Sequence, residues 1–596
     1  MKNIIKLWIF LPLLVACDDL FEPAIENNRD VDAMYDEPSY AQGILANAYV
    51  LLPYQTAPAS DVATDDAVTN DNNNDYLRMA TGSWAAINDP MSQWQGRFNA
   101  IQYINLFLEN VDKVVWAKDS KIRTMFNDRF KGEAYGLRAL QMYYLLRAHG
   151  GVTEDGRLMG IPILTASEGP ESDFNHERKT YAECVEHILN DAGKAIELLP
   201  QEYKTFTDVP QKYKDLGVTN ASDYNRVNGE AFRGLMSGRI AKAVRAQVAL
   251  LAASPAFSGG SGITWEKAAD YAADLLDDIG GPSGLDMTGR TWYVDADKVT
   301  NYGLGGSPAE IIWRSSVDDN NDLEKSNFPP SLYGSGLVNP TENLVDAFPM
   351  ANGYPITEAE GDYDASDPYL NRDPRLNDYI VVNGSTQGPS STKIITGTYG
   401  TTTDVTNKES GKSTRTGYYL RKLLRSTCNP DPQYNTKQKH YTARIRFTEI
   451  FLIYAEAANE AWGPQGKGTH TYSAYEVIKA IRKRAGLGVN NTDPYLESIK
   501  NDPDKMRVLI RNERRLELCF ENFRFWDLRR WKADLNETTR GMQIGQHTDG
   551  SLTYTPMPSV EVRKYKDYMY YGPIPNNEIL KWDNLKQNKD GNWLNN

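Results

Sequence analysis

Glu513 and Glu517 are the residues of this sequence whose types and spacing come nearest to catalytic chemistry. They lie four positions apart, so a helix would place both carboxylates on one face. A glycosidase uses such a pair, with one carboxylic acid as the proton donor. Several arginines lie near the pair in the sequence, however. A nearby guanidinium lowers the pKa of a carboxyl group, whereas a proton donor needs a raised pKa. We therefore predict ion pairs that join helices and no catalytic site. The arginines are Arg511, Arg514, Arg515, Arg524, Arg529 and Arg530.

Metal and nucleotide motifs are incomplete in this sequence. The six histidines form no pair at a recognised metal-binding spacing. Residues 411–413 (Gly-Lys-Ser) imitate the end of a phosphate-binding loop, but Thr406 stands where its first glycine belongs. Residues 71–75 and 318–322 begin like calcium loops and lack the glycine and glutamate that complete one. We predict no metal site and no cofactor, with calcium at one of these two loops as the alternative.

The cysteines are scattered singly and form no CxxC pair. Cys184 and Cys519 lie in apolar helical patterns, and we interpret them as small core residues. Cys428 lies in an irregular region. The spacing predicts neither a metal cluster nor a disulfide framework.

The start of the chain has the pattern of a lipoprotein signal. Two lysines precede a short apolar run at 7–14, and residues 14–17 (Leu-Val-Ala-Cys) form a lipobox. We predict a signal peptide over residues 1–16, lipidation of Cys17 and a tether over residues 17–31. Several acyl chains hold a protein stably at a membrane. The rest of the sequence has no apolar run of the roughly 18 residues that a membrane span needs.

The composition is that of a large globular protein. The 596 residues are 40% hydrophobic and 24% charged, and they carry a net charge of −14, which disfavours nucleic acid as a partner. The chain has 35 Tyr and 12 Trp against 17 Phe. Tyr and Trp combine an apolar ring with a polar group, so they suit surfaces that meet sugars.

The first half of the sequence has the apolar periodicity of helices. Alanine at contact positions, and loops between the helical segments, are typical of stacked helix pairs such as tetratricopeptide repeats, although the textual repeat is weak. The predicted helical segments are 92–111, 126–144, 181–199, 236–253 and 265–279.

The pattern changes over residues 286–440, where Gly, Asn, Asp, Ser, Thr and Pro dominate. Short apolar runs at 310–313 and 379–382 predict short strands in this region. Trp313 is the last residue of the first run, and we expect it to pack in the core. Helical patterns return at 444–460, 473–485 and 504–521. We therefore divide the chain after its tether into an N-terminal helical region, 32–285, and a loop-rich C-terminal region, 286–596.

Ordered motifs carry a family resemblance along nearly the whole chain. The most specific is at 511–531, where RNERRLEL precedes FRFWDLRRW. This run resembles the ERRxELxFExxRxxDLxRW signature of the SusD/RagB family of outer-membrane nutrient-binding lipoproteins. The sequence departs from the family pattern at two positions. Residue 149 is His where the family commonly has Tyr, and Cys519 lies inside the signature. The other matching segments are 132–152, 160–162 (GIP), 238–242 (GRIAK), 372–376 (RDPRL), 446–457, 481–487 (IRKRAGL), 573–575 (PIP) and 587–588 (QN).

The resemblance implies a mainly α fold in which four tetratricopeptide-like helix pairs form a scaffold, covered by irregular loops and a few short strands. It implies a lipoprotein that is anchored to the outer membrane through Cys17 and faces the cell exterior. The acidic residues after this cysteine, Asp18, Asp19 and Glu22, resemble a surface-export signal.

By the same resemblance, the protein binds an oligo- or polysaccharide and passes it to a SusC-like TonB-dependent outer-membrane barrel, with no catalysis. Capture of peptides or glycoprotein fragments by the same architecture is the alternative, and a surface glycosidase is less favoured.

Candidate ligand-binding residues lie on the loops, where this family holds its ligand. Aromatic rings would cover the flat face of a sugar, and carboxylate or amide groups would bind its hydroxyls. The aromatic candidates are Tyr76, Trp84, Trp292, Tyr293 and Tyr333, and the polar candidates are Asp65, Asp66, Asn72 and Asn327.

Overall fold

The structure is a computed structural model that describes residues 31–294, 296–303, 305–589 and 593. The predicted signal peptide, Cys17 and residues 18–30 of the tether lie outside the described residues. Within these ranges, no helix combines the length and the apolar composition that a membrane crossing requires.

The N-terminal region is built from helices joined by loops and short 3₁₀ turns. The five helical segments predicted there are confirmed, and the fifth ends as a 3₁₀ turn at Asp277–Ile279. The helices are α1 (Pro38–Val50), α2 (Asp75–Arg78), α3 (Trp94–Asn110), α4 (Ser120–His149), α5 (Tyr181–Leu198), α6 (Gln211–Asp215), α7 (Ala221–Asn228), α8 (Gly238–Ala253) and α9 (Trp265–Leu276).

The C-terminal region begins with short helices among loops and then returns to longer ones. Residues 444–446, which the pattern assigned to a helix, are a strand, because they pair with Ile311–Arg314. The helices are α10 (Asp322–Asn327), α11 (Glu342–Ala347), α12 (Pro374–Tyr379), α13 (Phe447–Trp462), α14 (Ala474–Ala485), α15 (Pro494–Ile499), α16 (Pro503–Leu518), α17 (Arg524–Trp531) and α18 (Asn576–Lys581).

The long helices form a continuous stack. Among the described residues, α1 packs on α3, α4 on α5, α8 on α9, and α13 on α14. Contacts between α3 and α4, α5 and α8, and α9 and α13 join one pair to the next, and α16 packs on α13. The largest apolar cluster of the protein runs through this stack. The mainly α fold is confirmed, and a tetratricopeptide-like geometry of the pairs stays a prediction.

Small residues let these helices approach closely. A Cβ atom added to Gly132 on α4 would lie 2.6 Å from Cγ of Leu199 and 3.1 Å from Cβ of Leu198.

Capping residues define where the helices begin. Thr180 and Glu183 form a reciprocal capping box at the start of α5, which satisfies two backbone N–H groups.

The strands are short, and in the described ranges they pair in twos. The two predicted strands are confirmed as β4 (Ile311–Arg314) and β7 (Ile380–Val381). The longest pair is a C-terminal antiparallel hairpin of β13 (Thr539–Gln546) and β14 (Leu552–Glu561), where no strand was expected. The strands are β1 (Ala67–Thr69), β2 (Gly151–Val152), β3 (Leu158–Met159), β4 (Ile311–Arg314), β5 (Asp318–Asn320), β6 (Val338–Pro340), β7 (Ile380–Val381), β8 (Thr386–Gln387), β9 (Thr392–Lys393), β10 (Tyr419–Leu420), β11 (Gln438–His440), β12 (Ala443–Arg446), β13 (Thr539–Gln546) and β14 (Leu552–Glu561).

Gly132→Ala is expected to lower the free energy of unfolding by about 1–3 kcal/mol, because the added methyl overfills the contact between α4 and α5. Gly193→Ala on α5 is the matched control, since the added Cβ has no described atom within 4 Å apart from its chain neighbours and the backbone of its own helix. It is expected to raise stability by up to about 1 kcal/mol through helix propensity alone. Urea unfolding followed by circular dichroism measures both changes. Equal effects of the two substitutions would contradict the tight contact.

Candidate ligand-binding surface

The two candidate catalytic carboxylates are buried in an ion-pair network. Nη1 of Arg375 donates to Glu513 at 2.8 Å and to Glu517 at 2.9 Å. Arg482 donates to Glu513 at 2.7 Å, and Arg484 donates to Glu517 at 2.8 Å. Burial alone would raise both carboxyl pKa values, but the guanidinium groups outweigh it, lowering the pKa of Glu513 and bringing that of Glu517 to about 2. These groups stay ionised and fully paired, so neither is a proton donor, and the predicted ion pairing is confirmed.

Asp65 and Asp66 have arginine partners in place of the predicted ligand hydroxyls. Arg515 binds Asp65 at 2.7 Å and Asp66 at 2.6 Å, and Arg524 makes two further hydrogen bonds of 2.9 Å to Asp65. Both carboxylates are buried. Burial would raise the pKa of Asp65, but the two arginines lower it overall. The pair fastens the loop before β1 to α16 and α17, which is a structural role.

Trp84 lies in the core, although the sequence suggested ligand contact. It is 1% exposed and packs edge-to-face on Phe525 and Trp593 at centroid distances of 5.7 and 5.0 Å. Its indole N–H donates to Asp89 at 2.8 Å. Trp313 is buried as expected. No face of Trp84 is available to a sugar in this conformation.

Three other candidates are also buried. Trp292 and Tyr293 pack at right angles to each other and line a cavity of about 40 Å³, a volume for water and not for a sugar ring. Asn327 joins two segments, because its amide donates to the carbonyl of Leu323 at 3.0 Å and accepts from the N–H of Val338 at 3.2 Å. Such contacts hold the loops in place.

The candidates nearer the surface are Asn72, Tyr76 and Tyr333. Pairing of β1 with β6 brings the segment after β1, with Asn72 on a turn and Tyr76 on α2, beside the segment that follows Tyr333. Asn72 is exposed, and Tyr76 is partly buried between two apolar clusters. Tyr333 is 57% exposed. Ligand contact by these three residues stays a prediction.

Tyr333 is held outward by a strained turn. The 3₁₀ turn Pro330–Leu332 ends at Tyr333, whose φ of 63° is in the left-handed region that non-glycine residues rarely adopt. The backbone N–H of Ser331 donates to Asp404 at 2.9 Å and fixes the turn. Strained residues of this kind are concentrated at functional sites.

A second exposed tyrosine, which the sequence reasoning missed, lies near Tyr333. Tyr434 is 64% exposed. Asp431 lies beside the phenol of Tyr333 and raises its pKa, and Tyr434 adds to that effect. We name Tyr333, Asp431 and Tyr434 the tyrosine surface. A signal was available in the sequence, since residues 429–434 (Asn-Pro-Asp-Pro-Gln-Tyr) are turn formers that end in an aromatic residue.

The loop of the tyrosine surface is held by backbone bonds. Asn429 and Thr436 exchange backbone hydrogen bonds of 3.2 and 2.9 Å, which close the loop. Within it, the N–H of Tyr434 donates to the carbonyl of Asp431 at 3.1 Å, and a carboxylate oxygen of Asp431 accepts from the N–H of Gln433 at 2.8 Å. The loop therefore presents a ring and a carboxylate from a defined backbone.

A concave alternative lies between the N-terminal helices and the C-terminal segment. This aromatic groove has a volume of about 500 Å³. Phe174 and Trp582 stack there with ring centroids 6.1 Å apart, and Trp94 and Phe98 form a second pair at 4.9 Å. The sequence reasoning named none of these rings as ligand contacts.

Two family models match this chain. The model described as "SusD family" matches residues 309–593, and the model described as "Starch-binding associating with outer membrane" matches residues 28–214. Together they include the C-terminal signature and the N-terminal helices.

Curated relatives match over shorter stretches. SusD-like protein P2 of Formosa agariphila is 29% identical over 147 residues, which are 25% of this chain and 25% of that protein. SusD-like protein P38 of the same organism is 34% identical over 85 residues, 14% of this chain and 16% of that protein. The chain thus matches a quarter or less of the length of either relative.

Solved structures match over nearly the whole length. A SusD-like protein from Bacteroides fragilis has a TM-score of 0.69 at 22% identity, covering 95% of this chain and 100% of that one. A SusD-like carbohydrate-binding protein from the same species has a TM-score of 0.65 at 20% identity, covering 93% and 100%. A laminarin-binding SusD-like protein has a TM-score of 0.54 at 18% identity, covering 93% and 100%. These similarities show the fold.

Arg375→Ala is expected to lower the free energy of unfolding by about 3–5 kcal/mol, because it leaves buried carboxylates without a partner. The control is Arg157→Ala, which removes an exposed pair with Asp155 that water and salt screen, and it is expected to leave stability unchanged. Guanidinium unfolding measures both. A small effect of Arg375→Ala would contradict the structural role of the network.

Proposed function

Because the chain belongs to the SusD/RagB family, we propose that it is an outer-membrane lipoprotein that binds an oligo- or polysaccharide at the cell surface. It delivers this ligand to a SusC-like TonB-dependent transporter. Two similar solved structures are described as carbohydrate-binding and laminarin-binding, which supports the ligand class. Lipid anchoring through Cys17 and the outward orientation are part of the proposal.

Binding without hydrolysis agrees with the chemistry of the buried carboxylates. Glu513 and Glu517 have guanidinium partners on both oxygens and are buried under the stack, so no sugar reaches them. We infer that the protein captures its ligand intact.

The observation that carries the location is the tyrosine surface. Tyr333 and Tyr434 each expose more than half of their residue surface, and the carboxylate of Asp431 lies beside the phenol of Tyr333. Tyrosine rings offer large, rigid contact area at a small loss of conformational entropy, and they are enriched among residues that dominate binding energy. A carboxylate beside them accepts hydrogen bonds from sugar hydroxyls. We propose that one sugar face lies on these rings and that its hydroxyls bind Asp431.

Capture of peptides or glycoprotein fragments is the alternative for the same architecture. Exposed tyrosines and a carboxylate suit a peptide chain as well as a sugar. Calorimetry with polysaccharides and a peptide digest, described below, distinguishes the two ligand classes.

Titration calorimetry with laminarin, starch and a peptide digest tests the proposal on the detergent-purified chain. Binding to one polysaccharide is expected, and Tyr434→Ala should weaken it at least tenfold, which is about 1.4 kcal/mol. Tyr103→Ala, at an exposed tyrosine on α3, is the matched control and should leave the affinity unchanged.

Three results would change the proposal. Loss of binding on Trp582→Ala, with Tyr434→Ala unaffected, would move the site to the aromatic groove. Binding of the peptide digest alone would favour the alternative ligand. Release of reducing sugar from the bound polysaccharide would contradict capture without hydrolysis.

The partner is tested by purifying the tagged, lipidated chain from detergent-solubilised outer membranes. A TonB-dependent barrel in stoichiometric amount is expected by mass spectrometry. Cys17→Ala, which removes the predicted lipidation site, should release the chain from the membrane fraction. Recovery of the lipidated chain without a barrel would contradict the delivery step.

A further inference from the structure

Glu324, Cys428 and His440 bring together three different metal-ligating groups. A carboxylate oxygen, the thiol sulfur and a ring nitrogen lie within 4.8 Å of one another. The side chains are 0%, 0% and 7% exposed. They come from α10, from the loop before Asn429 and from β11, so only the fold assembles them. His440 lies 116 positions from Glu324, which is why no motif signalled the cluster.

Hydrogen bonding aims the imidazole at the carboxylate. Nδ1 of His440 lies 2.9 Å from the backbone carbonyl of Gln438, which only accepts, so Nδ1 carries a proton and donates it. Nε2 then faces Oε1 of Glu324 at 3.0 Å. In the neutral ring both of these atoms are acceptors, so a proton or a metal cation must lie between them. A histidine that binds a metal usually donates its other ring N–H to a carbonyl, carboxylate or water.

The carboxylate of Glu324 has one oxygen without a hydrogen bond among the described residues. Oε1 of Glu324 accepts from the backbone N–H of Arg425 at 2.7 Å, whereas no described group makes a hydrogen bond to its buried Oε2. The thiol of Cys428 makes a long contact of 3.9 Å to the carbonyl of Asn320 and also interacts with the carboxylate of Glu324. A buried carboxylate oxygen without a partner is unfavourable, and a cation satisfies it.

Other charges near the cluster have their own partners. The guanidinium of Arg425 points away, since it donates to Asp297 at 2.7 Å and to the carbonyl of Lys439 at 2.9 Å. A thiolate and a carboxylate would together neutralise one divalent cation. The resulting site carries no net charge, which suits its burial.

From this geometry we propose that Glu324, Cys428 and His440 bind a divalent cation of the zinc class. Sulfur, imidazole nitrogen and carboxylate oxygen are the ligands that zinc takes, whereas calcium and magnesium prefer oxygen alone. A water molecule would complete the tetrahedral set of four ligands that zinc takes. The cation ties α10 and β11 to the base of the loop that carries Asp431 and Tyr434.

Metal analysis of the full-length protein tests this site. After incubation with zinc and desalting, one zinc per chain is expected by mass spectrometry. Cys428→Ala and His440→Ala should each lower the zinc content at least tenfold. Cys184→Ala is the matched control, because it removes another buried free thiol, on α5, and should leave the content unchanged.

Cobalt provides a measurement that needs no variant to fold. Replacement of zinc by cobalt(II) in the unaltered protein should give a near-ultraviolet thiolate-to-cobalt charge-transfer band and the visible bands of a four-coordinate ion. Excess zinc should abolish both. Chelation should lower the melting temperature, because a ligand that binds only the folded state stabilises it.

A folded protein without stoichiometric zinc and without the cobalt charge-transfer band would overturn the proposal. The cluster would then be a protonated His440 paired with Glu324 beside a neutral thiol. Metal content is measured without any saccharide, so its failure is separate from failure of the proposed ligand capture.

Discussion

The buried ion pairs of Arg375 with Glu513 and Glu517 hold the C-terminal helices in one arrangement. One guanidinium on α12 binds two carboxylates of α16, and Arg482 and Arg484 of α14 bind the remaining oxygens. Arg446 of β12 extends the network to Glu310 and Glu521. Three helices and a strand from distant parts of the sequence are therefore fixed to one another.

A buried ion-pair network tolerates few alternative arrangements of its helices. Removing these charges from water is unfavourable, and only complete pairing with good geometry compensates for it. An arrangement of these helices that separated one guanidinium from its carboxylate would leave a buried charge without a partner. The ion pairs thus contribute to the choice of a single arrangement as much as to stability, while the apolar stack supplies most of the burial energy.

Rigid attachment at the centre leaves the periphery free to carry function. Arg515 and Arg524 anchor the loop of Asp65 and Asp66 on α16 and α17, and β1 on that loop holds β6. The turn of Tyr333 and the loop of Tyr434 lie further out, on backbones fixed by local hydrogen bonds. The cluster of Glu324, Cys428 and His440 lies at the base of the second loop, so a cation there would define its position.

The sequence by itself determined the helical scaffold, the family and the structural use of the arginines. Apolar periodicity locates a helix such as α5, because one helical face must be buried, and that requirement is local in sequence. The sequence could not determine which loop residues are exposed to solvent. Trp84 and Tyr434 are both aromatic residues in polar loops, yet one is enclosed by Phe525 and Trp593 and the other is exposed. Likewise, the positions of Glu324, Cys428 and His440 in the sequence match no metal-binding motif. The exposure of a loop residue and the approach of these three side chains depend on contacts between segments that are distant in the sequence, and a local sequence pattern does not record such contacts.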